Sequence, residues 1–225
     1  MDDAGGPARV LELRAAARGG RVRVRLDDGR EVVLSKESCA RGGLRPGLAL
    51  AEERLAAIVA ADGRVVAHET ALALLAHRAR STSEVRQRLG RRGIDGTVIE
   101  VEVARLQRAG LLDDEAFARA WVEERRRLSP RGRRMLRFEL RRHGIGEEEA
   151  AGATGDIDDR ETALALARQR ARTSSAGDFR AFASRVGGFL QRRGFDHPTV
   201  VEATRIAWQE LGGGEREGDD GGDSA

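Results

Sequence analysis

The sequence predicts a mainly α fold: three tandem three-helix repeats in an elongated array, preceded by a small β-hairpin-containing N-terminal module and followed by an acidic tail. Three observations carry this expectation. The segment Leu89, Arg91, Arg92, Gly93, Ile94 recurs as Leu140, Arg142, His143, Gly144, Ile145 and as Leu190, Arg192, Arg193, Gly194, Phe195, with the glycines 51 and then 50 residues apart. Apolar residues around these copies fall at helical spacing, as in Ile99, Val103 and Leu106. Before them the pattern is alternating, with Val22, Val24 and Leu26 interleaved with Arg21, Arg23 and Arg25.

Taken in order, residues 1–66 read as the β-containing module. Asp28-Gly29 lies between two apolar runs, a hairpin signal because glycine and aspartate tolerate the left-handed turn. A second turn at Pro46-Gly47 precedes Leu48 and Leu50, and a helix is expected over Ala51–Ala60. Asp62-Gly63 reads as a further turn leading into the helical part. Residues 67–110 form the first repeat, 111–157 the second and 158–211 the third. In each, a basic last helical turn, a glycine in the C′ position and an apolar residue folding back describe a helix end. Asp95, Gly146 and Asp196 follow where the next helix needs an N-cap. Ser81 with Glu84 and Thr97 with Glu100 read as capping boxes. Ser129-Pro130 reads as an N-cap followed by proline at the first helical position. The middle repeat's third helix, starting at Glu147, is expected to be short because Gly152 and Gly155 follow. Residues 212–225, rich in Gly, Asp and Glu, cannot bury apolar surface and are expected to be a disordered acidic tail.

Composition narrows the function classes. Charged residues make up 34% of the 225 and aromatic residues 4%, which suits helices with narrow apolar stripes and not one large enclosed core. No run approaches the ~20 apolar residues of a membrane span. The start does not resemble a signal peptide, and the lone Cys39 offers no internal disulfide, so a cytoplasmic location is expected; a monomer is the expected state. Catalysis lacks parts. The four histidines are scattered and none pairs with Cys39 at ligand spacing, so neither metal nor cofactor is expected. The one lysine, Lys36, follows no glycine-rich phosphate loop. Asp113-Asp114 sits where a helix begins and reads as a cap rather than a metal pair.

Of the 40 basic residues all but Lys36 are arginine. A codon bias would produce such an excess anywhere, so location is the better guide. Ten arginines fall between Arg119 and Arg142 against three glutamates, a local net of +7, whereas residues 212–225 carry −4. Arginine's planar fork takes phosphate or carboxylate in two hydrogen bonds, so a basic middle repeat suits a polyanionic partner. The candidate contacts are Arg125, Arg126, Arg133, Arg134, Arg137 and Arg141. Arg133, Arg137 and Arg141 stand at i, i+4 and i+8 on one helix face, with Leu136 and Leu140 on the buried side. Phe117, Trp121 and Phe138 lie among them and are expected to be core.

Taken together, Gly110, Leu112, Asp113, Asp114, Phe117, Ala118, Trp121 and Val122, then Arg125 to Arg127, Gly132, Leu136, Glu139, Leu140, Gly144 and Ile145 resemble the RecX family of bacterial recombination regulators. Arg78, Ser81, Glu84, Leu89 and Gly93 resemble the family's first-repeat signature, and the likeness covers His68 to Leu211. The chain departs at Leu111, where the family more often has an aromatic residue. The resemblance implies three helical repeats in a curved body. It also implies binding to the RecA recombinase filament on DNA, with inhibition of its ATPase, extension and strand exchange. Direct contact with single-stranded or duplex DNA would accompany this. The alternative is a helix-turn-helix-like DNA-binding protein with another role, such as transcription regulation, which sequence-specific operator binding would distinguish.

Overall fold

In the computed structural model, residues 7–16, 20–174 and 177–212 are described; the expectation for the tail beyond Gly212 lies outside them. The chain divides into two compact units, Met1–Leu112 and Asp113–Ala225.

The first unit opens with an antiparallel sheet of order β3-β2-β1-β4, made of β1 (Ala8–Ala15), β2 (Arg21–Leu26), β3 (Glu31–Ser35) and β4 (Ala49–Leu50). The β2–β3 pair is the hairpin expected around Asp28-Gly29, with Gly29 at φ 85°. Val24 and Leu26 point into a core shared with Ala8, Val10, Leu34, Leu50 and Leu55. A short helix, α1 (Lys36–Arg41), follows β3 and is capped by the Ser35 hydroxyl, which accepts from the Ser38 amide. Helix α2 then runs unbroken from Glu52 to His77.

That continuity corrects the turn expected at Asp62-Gly63. The Asp62 carboxylate is buried because the sheet uses it: Oδ1 accepts from the Ser35 amide at 2.8 Å, and Oδ2 lies 3.2 Å from the Arg21 guanidinium. Burial alone would raise this carboxyl, but hydrogen bonds from Ser35 and Ser38 and the nearby Arg21 hold it below its ordinary value. Gly63 is carried along inside the helix, at a propensity cost of about 1 kcal/mol relative to alanine.

With α3 (Thr82–Gly90) and α4 (Gly96–Arg108), the second half of α2 completes the first three-helix repeat around Ala67, Ala71, Val85, Leu89, Val103 and Leu106. In the second unit, α5 (Asp114–Leu128), α6 (Arg133–Arg142) and α7 (Glu147–Thr154) enclose Phe117, Val122, Leu136, Leu140 and Ile145. Helices α8 (Asp159–Ala171), α9 (Phe179–Arg192) and α10 (His197–Glu210) enclose Leu166, Phe182, Leu190 and Phe195. The short α7 is as expected.

The recurring motif has one geometry in all three places. Gly93, Gly144 and Gly194 have φ of 74°, 75° and 91°. The following amide donates back to the motif leucine's carbonyl: Ile94 to Leu89 at 3.4 Å, Ile145 to Leu140 at 3.1 Å and Phe195 to Leu190 at 3.4 Å. All three leucines are fully buried. Asp95, Asp113 and Asp196 cap α4, α5 and α10 by accepting from the amides of Thr97, Ala116 and Thr199.

Three local expectations are corrected. Thr97 and Glu100 do not form the cap of α4: Asp95 takes the Thr97 amide, and Glu100 instead pairs with Arg86 of α3 at 2.8 Å. Ser129 closes α5 and does not open α6, which starts at Arg133 with Gly132 as its N-cap. The reason is the backbone route after Pro130, where the Gly132 amide donates to the Arg193 carbonyl at 3.0 Å. Phe138 is 49% exposed and is not core, whereas Phe117 is buried as expected.

Candidate partner-binding surface

Helix α6 carries four of the six candidate arginines, and its polar face is set by its buried one. Leu136 and Leu140 seat the helix on α5 and α7, so Arg133, Arg134, Arg137 and Arg141 are turned outward and line a groove of about 420 Å³. Glu147, Asp159 and Asp196 line the same groove. Arg141 reaches Glu147 at 3.3 Å, and Arg137 reaches it at 4.0 Å while donating to the Thr154 hydroxyl at 2.9 Å. Asp159 accepts from the Arg133 backbone amide at 2.9 Å and lies 3.7 Å from its guanidinium. Arg134 is exposed, with no carboxylate within 4.0 Å among the described residues.

The stripe is therefore a line of arginines interleaved with carboxylates supplied by α7, α8 and the α9–α10 turn. Exposed pairs of this kind contribute only about 0–1 kcal/mol each, so an incoming anion can exchange for them at small cost.

The other two candidates part company. Arg125 is half-buried: its guanidinium lies 4.2 Å from the Trp121 ring centroid, and Nε donates to Glu139 at 2.9 Å. Glu139 also accepts from the Trp121 indole at 3.0 Å and from Arg131 at 2.7 Å. One carboxylate thus anchors α5, α6 and the loop between them, and Arg125 is held inward as part of that structure. Arg126 is exposed beside Glu123 at 3.5 Å, on a different groove with Pro130 and Glu161.

The structure also groups three arginines that sequence order separates. Arg127, Arg170 and Arg193 line a groove of about 530 Å³ with Phe189. The visible signal for Arg193 is its place before the motif glycine. In the other repeats that place holds Arg92, which donates to Thr70 at 2.9 Å, and His143, whose ring centre is 4.3 Å from that of Trp121.

Asp113 acts as a helix cap. Among the described residues no group of three or more His, Cys, Asp or Glu side chains is placed to hold a metal, and no helix is long and apolar enough to cross a membrane.

Comparison with known proteins separates a family from a general helical array. The RecX first three-helix domain matches residues 67–106, the second 113–153 and the third 158–203. A regulatory protein RecX of Amycolatopsis mediterranei (strain U-32) is 38% identical over 150 residues, which cover 65% of this chain and 85% of the relative. The chain belongs to the RecX family. The regulatory protein RecX of Mycobacterium sp. (strain JLS) is 36% identical over 147 residues, covering 62% of this chain and 80% of that relative. A crystal structure of regulatory protein RecX superposes with a TM-score of 0.59 at 25% identity, covering 88% of this chain and 99% of the other. The RecX structure from Lactobacillus salivarius has the same TM-score at 23% identity over 68% of this chain and shares the fold. The RecX repeats coincide with the three helical cores, so the glycine motif read from the sequence is the internal repeat of the family.

Proposed function

We propose that the chain is a regulator that binds the RecA–DNA filament in the cytoplasm and inhibits RecA's ATPase, filament extension and strand exchange. Membership in a family of regulatory proteins supports a regulatory role, and the arginine groove on α6 is the observation that carries the mode of binding. A filament presents carboxylates and phosphates along its length, and Arg133, Arg134, Arg137 and Arg141 meet such groups by exchanging their present partners Asp159 and Glu147. Arg126 lines a separate groove with Pro130 and Glu161 and would add a second contact. Arg125 supports the α6 surface from within.

The test is titration of the purified chain into RecA on single-stranded DNA, with ATP hydrolysis followed continuously. Hydrolysis falls at substoichiometric ratios of chain to RecA; an unchanged rate overturns the reading. Because glutamates introduced at 133, 137 and 141 would face Glu147 and Asp159, neutral changes isolate the arginine surface better. Arg134→Gln with Arg141→Gln raises the concentration needed for half-inhibition about tenfold, equivalent to about 1.4 kcal/mol, at unchanged circular dichroism. Unaltered inhibition places the partner face elsewhere.

A further inference from the structure

The groove between the α5–α6 connection, α8 and α9 differs from the α6 groove in the sign of its lining. Arg127, Arg170 and Arg193 face it, and no carboxylate lines it among the described residues. None of these three arginines has a carboxylate within 4.0 Å among the described residues. Ser129, Gln169 and Thr173, the remaining polar residues of the lining, can all donate hydrogen bonds.

Two of the arginines, Arg170 and Arg193, are also held against a ring before any ligand arrives. Arg193 Nη1 donates to the Pro130 carbonyl at 2.8 Å, and its guanidinium stands 4.6 Å from the Phe189 ring centroid. The Arg170 guanidinium is 5.6 Å from the same ring. Burial, and then the like charge of Arg131, push the Arg193 guanidinium below its usual range. Arg131 is itself paired with Glu139, so burial is the main cause, and a half-buried cation without a carboxylate of its own favours a bound anion. Side chains fixed on a ring lose less entropy in binding one.

A lone phosphate leaves most of about 530 Å³ unfilled. The rest of the wall is apolar, comprising Leu128, which is 64% exposed, together with Pro130 and Leu166. An anion joined to a flat apolar body fits both halves. In a duplex the bases are stacked away inside, so of the two forms of DNA it is the single strand that offers phosphate and base face together.

We propose that this groove binds one nucleotide of a single strand, its phosphate held by Arg127, Arg170 and Arg193 and its base laid against Leu128 and Pro130. It rests on the RecA reading only in expecting DNA at the partner, and its test needs no RecA. The full chain is titrated into a labelled single-stranded oligothymidine and a labelled duplex of equal length, with anisotropy read across a salt series. The single strand binds more tightly than the duplex. Arg127→Gln with Arg170→Gln, two exposed positions, weakens strand binding about tenfold and makes the logarithmic salt slope shallower by about 0.7 for each phosphate no longer neutralised. Leu128→Ser weakens strand binding about fivefold at unchanged salt slope, the signature of an uncharged apolar contact. Equal losses on duplex and strand overturn the proposal in favour of unspecific attraction, and unchanged strand binding overturns it outright. Displacement of the strand by an acidic apolar peptide that binds more tightly assigns the groove to a protein segment and also overturns it. RecA inhibition that persists without strand binding removes this proposal and leaves the function above standing.

Discussion

The backbone seat between the second and third repeats gives a prediction whose parts can be separated. Gly194 has φ 91°, and an added Cβ would lie 2.4 Å from the Met135 Cβ and 2.9 Å from the Met135 amide nitrogen. Gly132 has an ordinary φ of −70°, yet its Cβ would lie 2.8 Å from the Gly194 carbonyl oxygen. Gly93 has φ 74° with nothing within 4 Å of its Cβ. Alanine at Gly194 therefore adds clash and backbone strain together, at Gly132 clash alone and at Gly93 strain alone. Left-handed strain for a non-glycine residue costs about 1–2 kcal/mol. Overpacking against backbone that must shift costs about 1–3 kcal/mol. The expected losses are about 1–2 kcal/mol for Gly93→Ala, about 1–3 for Gly132→Ala and about 2–5 for Gly194→Ala. Both tryptophans, Trp121 and Trp208, lie in the second unit, so urea unfolding followed by indole emission reports the Gly132 and Gly194 variants directly. Gly93→Ala is followed by far-UV circular dichroism. With a slope of about 2 kcal/mol per molar urea, a loss of about 3 kcal/mol at Gly194 lowers the midpoint by about 1.5 M. The double change Gly132→Ala with Gly194→Ala costs less than the sum, because one displacement relieves both clashes. A Gly194→Ala variant no worse than Gly93→Ala refutes the close seat.

Glu139→Gln removes the charge shared by Arg125, Arg131 and the Trp121 indole; a loss of about 2 kcal/mol with red-shifted indole emission is expected, and unchanged emission contradicts the shared anchor. The Asp62 carboxyl is depressed in the folded state, so its stabilisation is present above the unfolded value of about 3.9 and is lost as pH falls through the lower folded value. Amide protection over residues 21–40 should fall in that window, and Asp62→Asn should remove this pH dependence. Gly63→Ala meets only Val98 at 3.9 Å and stabilises α2 by about 0.5–1 kcal/mol, slowing labelling of the buried Cys39 about two- to fivefold; faster labelling means that the helix needs glycine there.

Most of the helical architecture was legible because it rests on short-range chemistry. Gly93, Gly144 and Gly194, the caps Asp95, Asp113 and Asp196, and the leucines buried beneath them act within one helical turn of their own position. Strand β1 was missed because a bulge between Val10 and Glu12 interrupts its alternation, leaving Leu11 exposed at 47%. Asp62-Gly63 misled for the opposite reason: a dipeptide with turn chemistry is overruled when Ser35, 27 residues away, takes the aspartate into the sheet. Ser129-Pro130 carries the right residues for a helix start, but the backbone bond from Gly132 to Arg193 delays the helix to Arg133. In the candidate site, the spacing singles out Arg133, Arg137 and Arg141 on one face of α6, and the basic block adds Arg134. The groove of Arg127, Arg170 and Arg193 was not legible, since its members come from three elements and no local pattern joins them.

The same distinction governs the arginine excess. A sequence window counts Arg119 to Arg142 as a basic block, but a folded chain assigns each charge to whatever carboxylate comes near it. Glu115 takes Arg119, Glu139 takes Arg125 and Arg131, Asp159 takes Arg133, and Glu147 takes Arg141, with Arg137 at its edge. Glu147 and Asp159 lie outside the window, so its net charge overstates the field on α6. Arg127, Arg134 and Arg142 remain without a carboxylate partner among the described residues, and Arg170 and Arg193 join them from the third repeat. Surface potential is set by the unpaired cations, so strand binding should depend on Arg127 and Arg170 more than on Arg133, although Arg133 belongs to the more conspicuous run. On the proposed function, paired arginines such as Arg133 and Arg141 would act differently: a weak exposed pair can be displaced by a partner with its own carboxylates and phosphates in register, which would give specificity.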